Sequence, residues 1–402
     1  MPADRKTAII CTNDAWTLYH FRGSLMRALV DRGFDVVAAG PYDRHAELFA
    51  SMGVRFAHVP MSHAGLNLSE ELRTLWHLYR LYRHERPSLV HHYSHKPILW
   101  GSLAARLAGI RGIINTVNGL GSTLGDADGL LRLAQPGIVA LMRRALKPPV
   151  RITFQNREIE AFYIANRLIR PEQATVILGS GIDTDRFSPD GPPPTVDTDE
   201  TTPRPLRFLM FSRMLWAKGV KEYCRAAEQV GRRCGNGNRP EFLLVGGAAP
   251  GNRTAVDPVW LSNPQTIPGE WLMREAARGY VDWRPHQEDM LPLIRSADVI
   301  VLPSYYPEGV PRSLLEAMGC AKAIITTDMP GCRDVVDHGV NGLLIRPRNA
   351  DDLAKAMLWM FDRPDRATAM GRESRRMVTE RFSDARVIDQ TMAAYAAAGV
   401  AV

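Results

Sequence analysis

VIVLPSYYPEGVPRSLLEAMG, residues 299–319, is the stretch from which the architecture is read. Val299–Leu302 is an unbroken run of β-branched and aliphatic residues, the pattern of a buried strand. Pro303–Pro311 is a proline- and glycine-rich loop, and helical spacing resumes over Arg312–Met318. In a strand-loop-helix unit the first amides of the helix lack internal partners and the macrodipole is positive there, so the loop suits an anion. Glu308 in the loop and Glu316 about one turn into the helix are spaced so that both can face one ligand. An ordinary cap and an ordinary solvated carboxylate are the alternatives.

Three further blocks surround this one: GID (181–183), SRMLWAKG (212–219) and TTDMPGCRDVVDHGVNGLLI (326–345). Arg213 and Lys218 flank a turn that follows the strand Arg207–Phe211. They suit a diphosphate, Arg as a bidentate fork and Lys as a compact charge; two surface cations are the alternative. In EGVPRSLLE, Glu308 and Glu316 look like the E-x7-E signature, and the four blocks in this order resemble the retaining nucleotide-sugar glycosyltransferases of family 4, in the GT-B superfamily. The resemblance spans nearly the whole chain. It implies an α/β architecture of two Rossmann-like domains facing across a cleft, with a nucleotide-sugar on the second and an acceptor on the first. The expected boundaries are 1–185 for the acceptor domain, 186–206 for a linker, 207–380 for the donor domain, and 381–402 for a helix returning to the first domain.

By the family pattern Glu308 holds the hydroxyls of the transferred sugar and Glu316 the nucleotide ribose. Arg213, Lys218 and Glu308 are the catalytic candidates; Glu316, Gly309, Val310, Pro311 and Arg312 are the donor-binding ones. As the sugar–phosphate bond lengthens, the leaving diphosphate gains negative charge. Arg213, Lys218 and the amides near Gly309 and Val310 are placed to stabilise it. No metal is implied, because no Asp-x-Asp cluster occurs in the right context and the cation pair can do that work. No cofactor is expected beyond the sugar nucleotide, taken as a UDP-sugar by resemblance.

Strand and helix patterns alternate along the first half as in a parallel sheet, in which ligands sit beyond the carboxyl ends of the strands. Thr7–Cys11 reads as a strand, Thr12–Arg22 as a loop, Gly23–Arg32 as a helix and Asp35–Ala39 as the next strand. Asn13, Trp16, Tyr19, His20, Arg22 and Gly23 are therefore acceptor candidates, although Trp16 and Tyr19 could simply pack the loop down. Residues 66–86 carry Trp76, Tyr79 and Tyr82 at helical period with Arg73, Arg80, Arg83 and Arg86. An interfacial helix looks like this, and so does a core-facing helix with a solvated back. The strand Ser88–His91, a helix reaching Leu107 and the strand Gly112–Val117 follow. His91, His92, Lys96, Asn118 and Gly119 cluster at the ends of these strands, with Lys96 a candidate for an acceptor phosphate. HYSHKPILWGSLAAR and TVNGLGS resemble the branch that builds bacterial exopolysaccharides, O-antigens and lipid-linked oligosaccharides. Many relatives carry a histidine at the position of Asn118.

The chain has 402 residues, 45% hydrophobic and 23% charged, a globular balance with room for two domains. Five scattered cysteines without a C-x-x-C pair suggest neither a disulfide framework nor a zinc site. The histidines of HHYSH (91–95) have no nearby carboxylate to complete a metal site. Of the formal net charge of +7, most lies in residues 1–190, with 23 Lys/Arg against 17 Asp/Glu. No nucleic-acid module accompanies that charge, so an anionic membrane surface or a phosphorylated acceptor is the better partner. No apolar run reaches the ~20 residues that span a bilayer, and the start is too polar for a signal peptide, so a cytoplasmic, peripheral location is expected. The expected activity is retaining transfer of a hexose or N-acetylhexosamine to a polyprenyl-diphosphate-linked saccharide. A sugar-nucleotide epimerase of the same fold and a carbohydrate-binding scaffold with a dead site are the alternatives.

Overall fold

The computed structural model describes residues 6–62, 67–119, 130–190, 204–235, 239–247, 265–306 and 308–402. The chain divides into two units, Met1–Gly181 with Asp384–Val402, and Ile182–Ser383. The expected linker thus begins late: Ile182 pairs with Ser383, and Arg375 donates to the carbonyls of Thr184 and Phe187, so 182–190 belong to the second unit. The proline-rich stretch 191–203 and most of the insertion expected over 246–270 lie outside the described residues.

Unit 1 carries a parallel sheet of seven strands, β1 (Thr7–Cys11), β2 (Asp35–Gly40), β3 (Arg55–His58), β4 (Leu89–Tyr93), β5 (Ile113–Val117), β6 (Arg151–Phe154) and β7 (Ala174–Val176). Their spatial order is β3-β2-β1-β4-β5-β6-β7, so the chain reverses direction of growth between β1 and β4. Its helices are α1 (Ala15–Asp31), α2 (Leu68–Glu85), α3 (Ser102–Leu107), α4 (Leu130–Ala145) and α5 (Arg157–Ala165). A wide helical turn, Pro97–Gly101, leads into α3. Side chains of β1 alternate between two cores, Ile9 and Cys11 in one, Ala8 and Ile10 in the other, as a sheet covered on both faces requires.

Unit 2 has β8 (Arg207–Phe211), β9 (Glu241–Val245), β10 (Asp282–Arg284), β11 (Val299–Leu302), β12 (Ala323–Thr327) and β13 (Gly342–Ile345), in the order β10-β9-β8-β11-β12-β13. Its helices are α6 (Val220–Cys234), α7 (Gly269–Ala277), α8 (Leu291–Ser296), α9 (Arg312–Gly319), α10 (Ala350–Phe361) and α11 (Pro364–Arg381). All four residues of β11 are buried, as their apolar run predicts. The last helix, α12 (Asp384–Ala397), belongs to unit 1, where Tyr395 and Met392 join the core.

One element differs from expectation in a way that moves candidate residues. The stretch 12–22 is not a loop: α1 starts at Ala15, capped by Asp14, whose side chain accepts from the Thr17 amide at 2.5 Å. Ala15, Leu18, Arg22, Leu25, Met26 and Leu29 form its buried face at the helical period.

Candidate functional site

In an open parallel sheet the crevice lies at the carboxyl ends of the two strands between which the order reverses. In unit 2 those are β8 and β11, and the segments leaving them carry the charged candidates. After β8 the chain turns at Trp216–Lys218, and Gly219 adopts φ +81°. A Cβ at Gly219 would fall 2.2 Å from the Pro303 carbonyl oxygen, so only glycine lets this turn lie against the end of β11. Tyr305 then donates its amide to the Ala217 carbonyl at 2.9 Å, tying the two segments together.

That contact brings Lys218 to Glu308. The Lys218 ammonium donates to Glu308 Oε2, and Ser304 donates to Glu308 Oε1 at 2.7 Å. Lys218 is only 6% exposed, so its charge is largely withdrawn from water and depends on this partner. The Glu308–Gly309 backbone is packed equally closely from the other side. At Gly331, φ +82°, a Cβ would fall 2.1 Å from the Gly309 oxygen. Cys332, next along, is buried; burial pushes its thiol up to about 12, with Glu308 pushing the same way and Lys218 against.

Arg213 is exposed beside the same pocket, where its charge acts on the Tyr306 phenol, which burial and Glu308 push up. One turn into α9, Arg312 Nε donates to Glu316 Oε1 at 3.1 Å. Burial pushes the Glu316 carboxyl above its ordinary value, more than Arg312 and Arg186 pull it down. Gly309, Val310 and Pro311 are buried at the start of α9, whose first internal bond is Leu314 to the Pro311 carbonyl and whose N-terminus has no side-chain cap. Arg213, Lys218, Glu308 and the open end of α9 therefore share one neighbourhood. Ser304, Tyr306, Gly331 and Cys332 complete it without having been singled out; only the position of Ser304, between strand end and Glu308, hinted at a role.

In unit 1 the structure redistributes the candidates. His91 and His92 are core residues. His91 bonds Tyr395 Oη and Thr116 Oγ1, both at 2.7 Å; His92 bonds Tyr82 Oη and Asn115 Oδ1, both at 2.8 Å. All four ring nitrogens are occupied and both rings are shut from solvent, so neither serves an acceptor. Burial lowers both, His92 to about 4. Lys96 is not a free phosphate ligand: its ammonium contacts Glu71 Oε1 at 2.5 Å and Ser62 Oγ at 2.7 Å, while the other Glu71 oxygen accepts from Trp100. Arg22 is buried over the Tyr93 ring at 4.0 Å, and Gly23 is buried within α1, where an added Cβ would meet Met52 Sδ at 3.7 Å.

Tyr19 packs edge-on to Phe49 at 5.9 Å, the packing alternative, whereas Trp16 and His20 stay exposed at the start of α1, 4.8 Å apart. Asn13, partly exposed in the short segment before α1, lies 3.3 Å from the Thr12 hydroxyl. Asn118 and Gly119 leave the end of β5, where the Gly119 carbonyl accepts from His95 Nε2 at 3.0 Å. Residues 120–129, with Gly121, lie outside the described part.

Two parallel-sheet α/β units, one bearing a cluster of cations and carboxylates at its switch point, are the parts of the GT-B fold. Family models agree: the Glycosyl transferase 4-like domain matches residues 21–178 and Glycosyl transferases group 1 matches 205–363, and the chain belongs to this glycosyltransferase family. It is 28% identical over 355 residues to the N,N'-diacetylbacillosaminyl-diphospho-undecaprenol alpha-1,3-N-acetylgalactosaminyltransferase of Campylobacter jejuni, covering 86% of this chain and 87% of the relative. It is 24% identical over 320 residues to the UDP-Gal:alpha-D-GlcNAc-diphosphoundecaprenol alpha-1,3-galactosyltransferase of Escherichia coli, covering 77% and 75%. The structure of Anabaena HepE in complex with UDP shares the fold, with a TM-score of 0.72 at 15% identity over 96% of this chain and 98% of that one.

Proposed function

We propose that the protein transfers a hexose or N-acetylhexosamine from a UDP-sugar to a polyprenyl-diphosphate-linked saccharide, with retention at the anomeric carbon and without a metal ion. The observation that carries this reading is the buried Lys218–Glu308 pair at the β8/β11 switch point, beside the uncapped start of α9. Lys218 and Arg213 supply positive charge to the departing diphosphate, and the Gly309 and Val310 amides add hydrogen bonds to it. Glu308, fixed by Ser304, faces the sugar as it turns cationic, and Glu316 faces the ribose. The curated relatives, by name, act on undecaprenol-diphosphate saccharides. That chemistry transfers to this chain together with the branch resemblance of its first half. A dead-site scaffold would not need these groups held together, and a heavier acceptor product separates transfer from an epimerase, which consumes no acceptor.

The experiment is a panel of UDP-sugars with an N-acetylglucosaminyl-diphospho-undecaprenol acceptor, read by UDP release and product mass, with the anomeric configuration assigned by NMR. A retained linkage in the presence of EDTA is expected. Nucleotide release without a heavier acceptor, or product only with added metal, overturns the corresponding part.

Such an acceptor places the enzyme at the inner face of the cytoplasmic membrane. Among the described residues no helix is long and apolar enough to cross a membrane. On α2, however, Leu68, Leu72 and Trp76 form an exposed stripe at four-residue spacing, with exposed Arg73, Arg80 and Arg83 nearby. Its opposite face buries Glu71, Thr74, Leu78 and Tyr82. Apolar residues between cations suit an anionic bilayer. Binding to phosphatidylglycerol vesicles is expected to fall with added salt and in Leu72→Ser/Trp76→Ser; salt-independent binding would contradict this surface.

A further inference from the structure

Among the described residues, Arg86, Ser94, Arg167, Ala321 and Arg348 combine a side chain with a positive φ, a region that favours glycine. Arg86, Arg167 and Ala321 follow the last turns of α2, α5 and α9, where a left-handed residue commonly ends a helix. Arg348, at φ +56°, has no such reason, because it stands between β13 and α10 and ends no helix. Glycine would hold this backbone with less strain. Strain of this kind persists where the surroundings fix it, and it gathers at functional sites. What the Arg348 side chain touches is one ring. Its guanidinium carbon lies 4.5 Å from the centre of Tyr305, and among the described residues it makes no hydrogen bond or ion pair.

Tyr305 is where the two halves of the Lys218–Glu308 pair meet. Its amide donates to the Ala217 carbonyl at 2.9 Å, one residue before Lys218. Ser304, the residue before it, donates to Glu308 Oε1 at 2.7 Å, and the Ser304 carbonyl accepts from the Thr327 hydroxyl of β12. These bonds fix the backbone of Tyr305, and the Arg348 guanidinium fixes its half-buried ring. Burial and Glu222, on the first turn of α6, push the phenol up, with Arg348 acting against them. Glu222 Oε2 is buried without a hydrogen-bond partner, so a carboxylate that lacks a donor and a cation that lacks an ion pair act on the same ring.

We propose that Arg348 is a positioning residue for transfer: it pins the Tyr305 ring and, through Ser304 and Ala217, sets the geometry of the Lys218–Glu308 pair. The role rests on the glycosyl-transfer reading of that pair. Arg348 touches neither donor nor acceptor, so its loss acts on the rate and not on binding.

The test is Arg348→Gly in the full chain. The substitution deletes the guanidinium and relieves the left-handed backbone, so the melting temperature should stay within about 2 °C of the wild type. The kcat for transfer to N-acetylglucosaminyl-diphospho-undecaprenol should fall about three- to fivefold, the worth of one exposed cation–π contact. The acceptor KM and the Kd for UDP, measured by calorimetry, should not move. Arg348→Lys, which keeps a cation over the ring, should recover most of the loss. Tyr305→Leu should lose at least as much, and Tyr305→Leu/Arg348→Gly should lose no more than Tyr305→Leu alone. An unchanged kcat in Arg348→Gly overturns the positioning role and leaves transfer intact. So does a loss that appears in the Kd for UDP, or one that Arg348→Lys shares in full. Absence of transfer by the wild type with every UDP-sugar overturns the reaction assigned above, and the role of Arg348 falls with it.

Discussion

Lys218 and Glu308 are each other's compensation, with side chains 8% and 14% exposed. Removing one partner of a buried pair leaves an uncompensated charge, which costs about 3–5 kcal/mol, whereas removing both is often nearly neutral. Lys218→Met should therefore lower thermal stability and abolish transfer, and Lys218→Met/Glu308→Gln should regain the stability without the transfer. Melting curves beside initial rates separate the two effects, and a single variant with full activity would remove Lys218 from the reaction. Glu316 gives a second residue-level test. Its carboxyl is raised by burial, so the folded state favours the protonated form. Stability from that preference is present below the unfolded carboxyl value and is lost as pH rises through the folded one. Glu316→Gln should raise the melting temperature at pH 7–8 by a few degrees, with the gain gone by about pH 4, while weakening UDP binding. No gain at neutral pH would mean that the Arg312 bond outweighs the burial. All four residues lie within or next to short motifs, which makes each legible in the sequence, but the Lys218–Glu308 contact spans 90 positions and is not. The pairing of Lys96 with Glu71 joins residues on separate elements, and no local pattern announces it.

Among the elements, the Trp216–Gly219 turn has the least freedom. Gly219 combines a left-handed φ with backbone contact to Pro303, so a methyl group there meets both a conformational and a steric penalty. Gly219→Ala should cost at least about 2 kcal/mol of unit 2 stability and should lower transfer by displacing Lys218, although no substrate-facing group is deleted. Unfolding by urea with parallel rates measures both, and an active, stable Gly219→Ala would show that the turn can shift without moving the pair. Strands such as Thr7–Cys11, Arg207–Phe211 and Val299–Leu302 were legible to the residue because unbroken apolar runs end at polar or proline boundaries. The start of α1 was not, because Trp16, Thr17, Tyr19 and Phe21 have weak helix propensity and mask the buried period of Ala15, Leu18, Arg22 and Leu25. The Asp14 cap was the signal available there. β13 was missed because four residues, GLLI, sit inside a glycine-rich motif that reads as loop.

At the scale of the whole chain, the two units differ in what acid does to them. The core of unit 1 is closed by its own C-terminal segment, since the Tyr395 hydroxyl from α12 reaches His91 on β4. The sequence placed a last helix and returned it to the first domain by resemblance, but not its partner, because residues 304 positions apart share no local pattern. His91 and His92 lie in this core as neutral rings, His92 at about 4 and His91 lowered by burial, Arg22 and His92. A histidine depressed in the folded state contributes stability that is present above its unfolded value near 6.5 and is lost as pH falls toward the folded value. For His92 that loss amounts to about 2 kcal/mol by pH 5, and His91 adds to it in the same direction. No buried histidine is found among the described residues of unit 2. Hydrogen exchange followed by mass spectrometry between pH 7 and pH 5, corrected for intrinsic rates, should show peptides of β4 and β5 losing protection while those of β11 and β12 change much less. Equal loss in both units would mean that acid sensitivity comes from the surface charges common to both, and that the two rings do not govern how unit 1 opens.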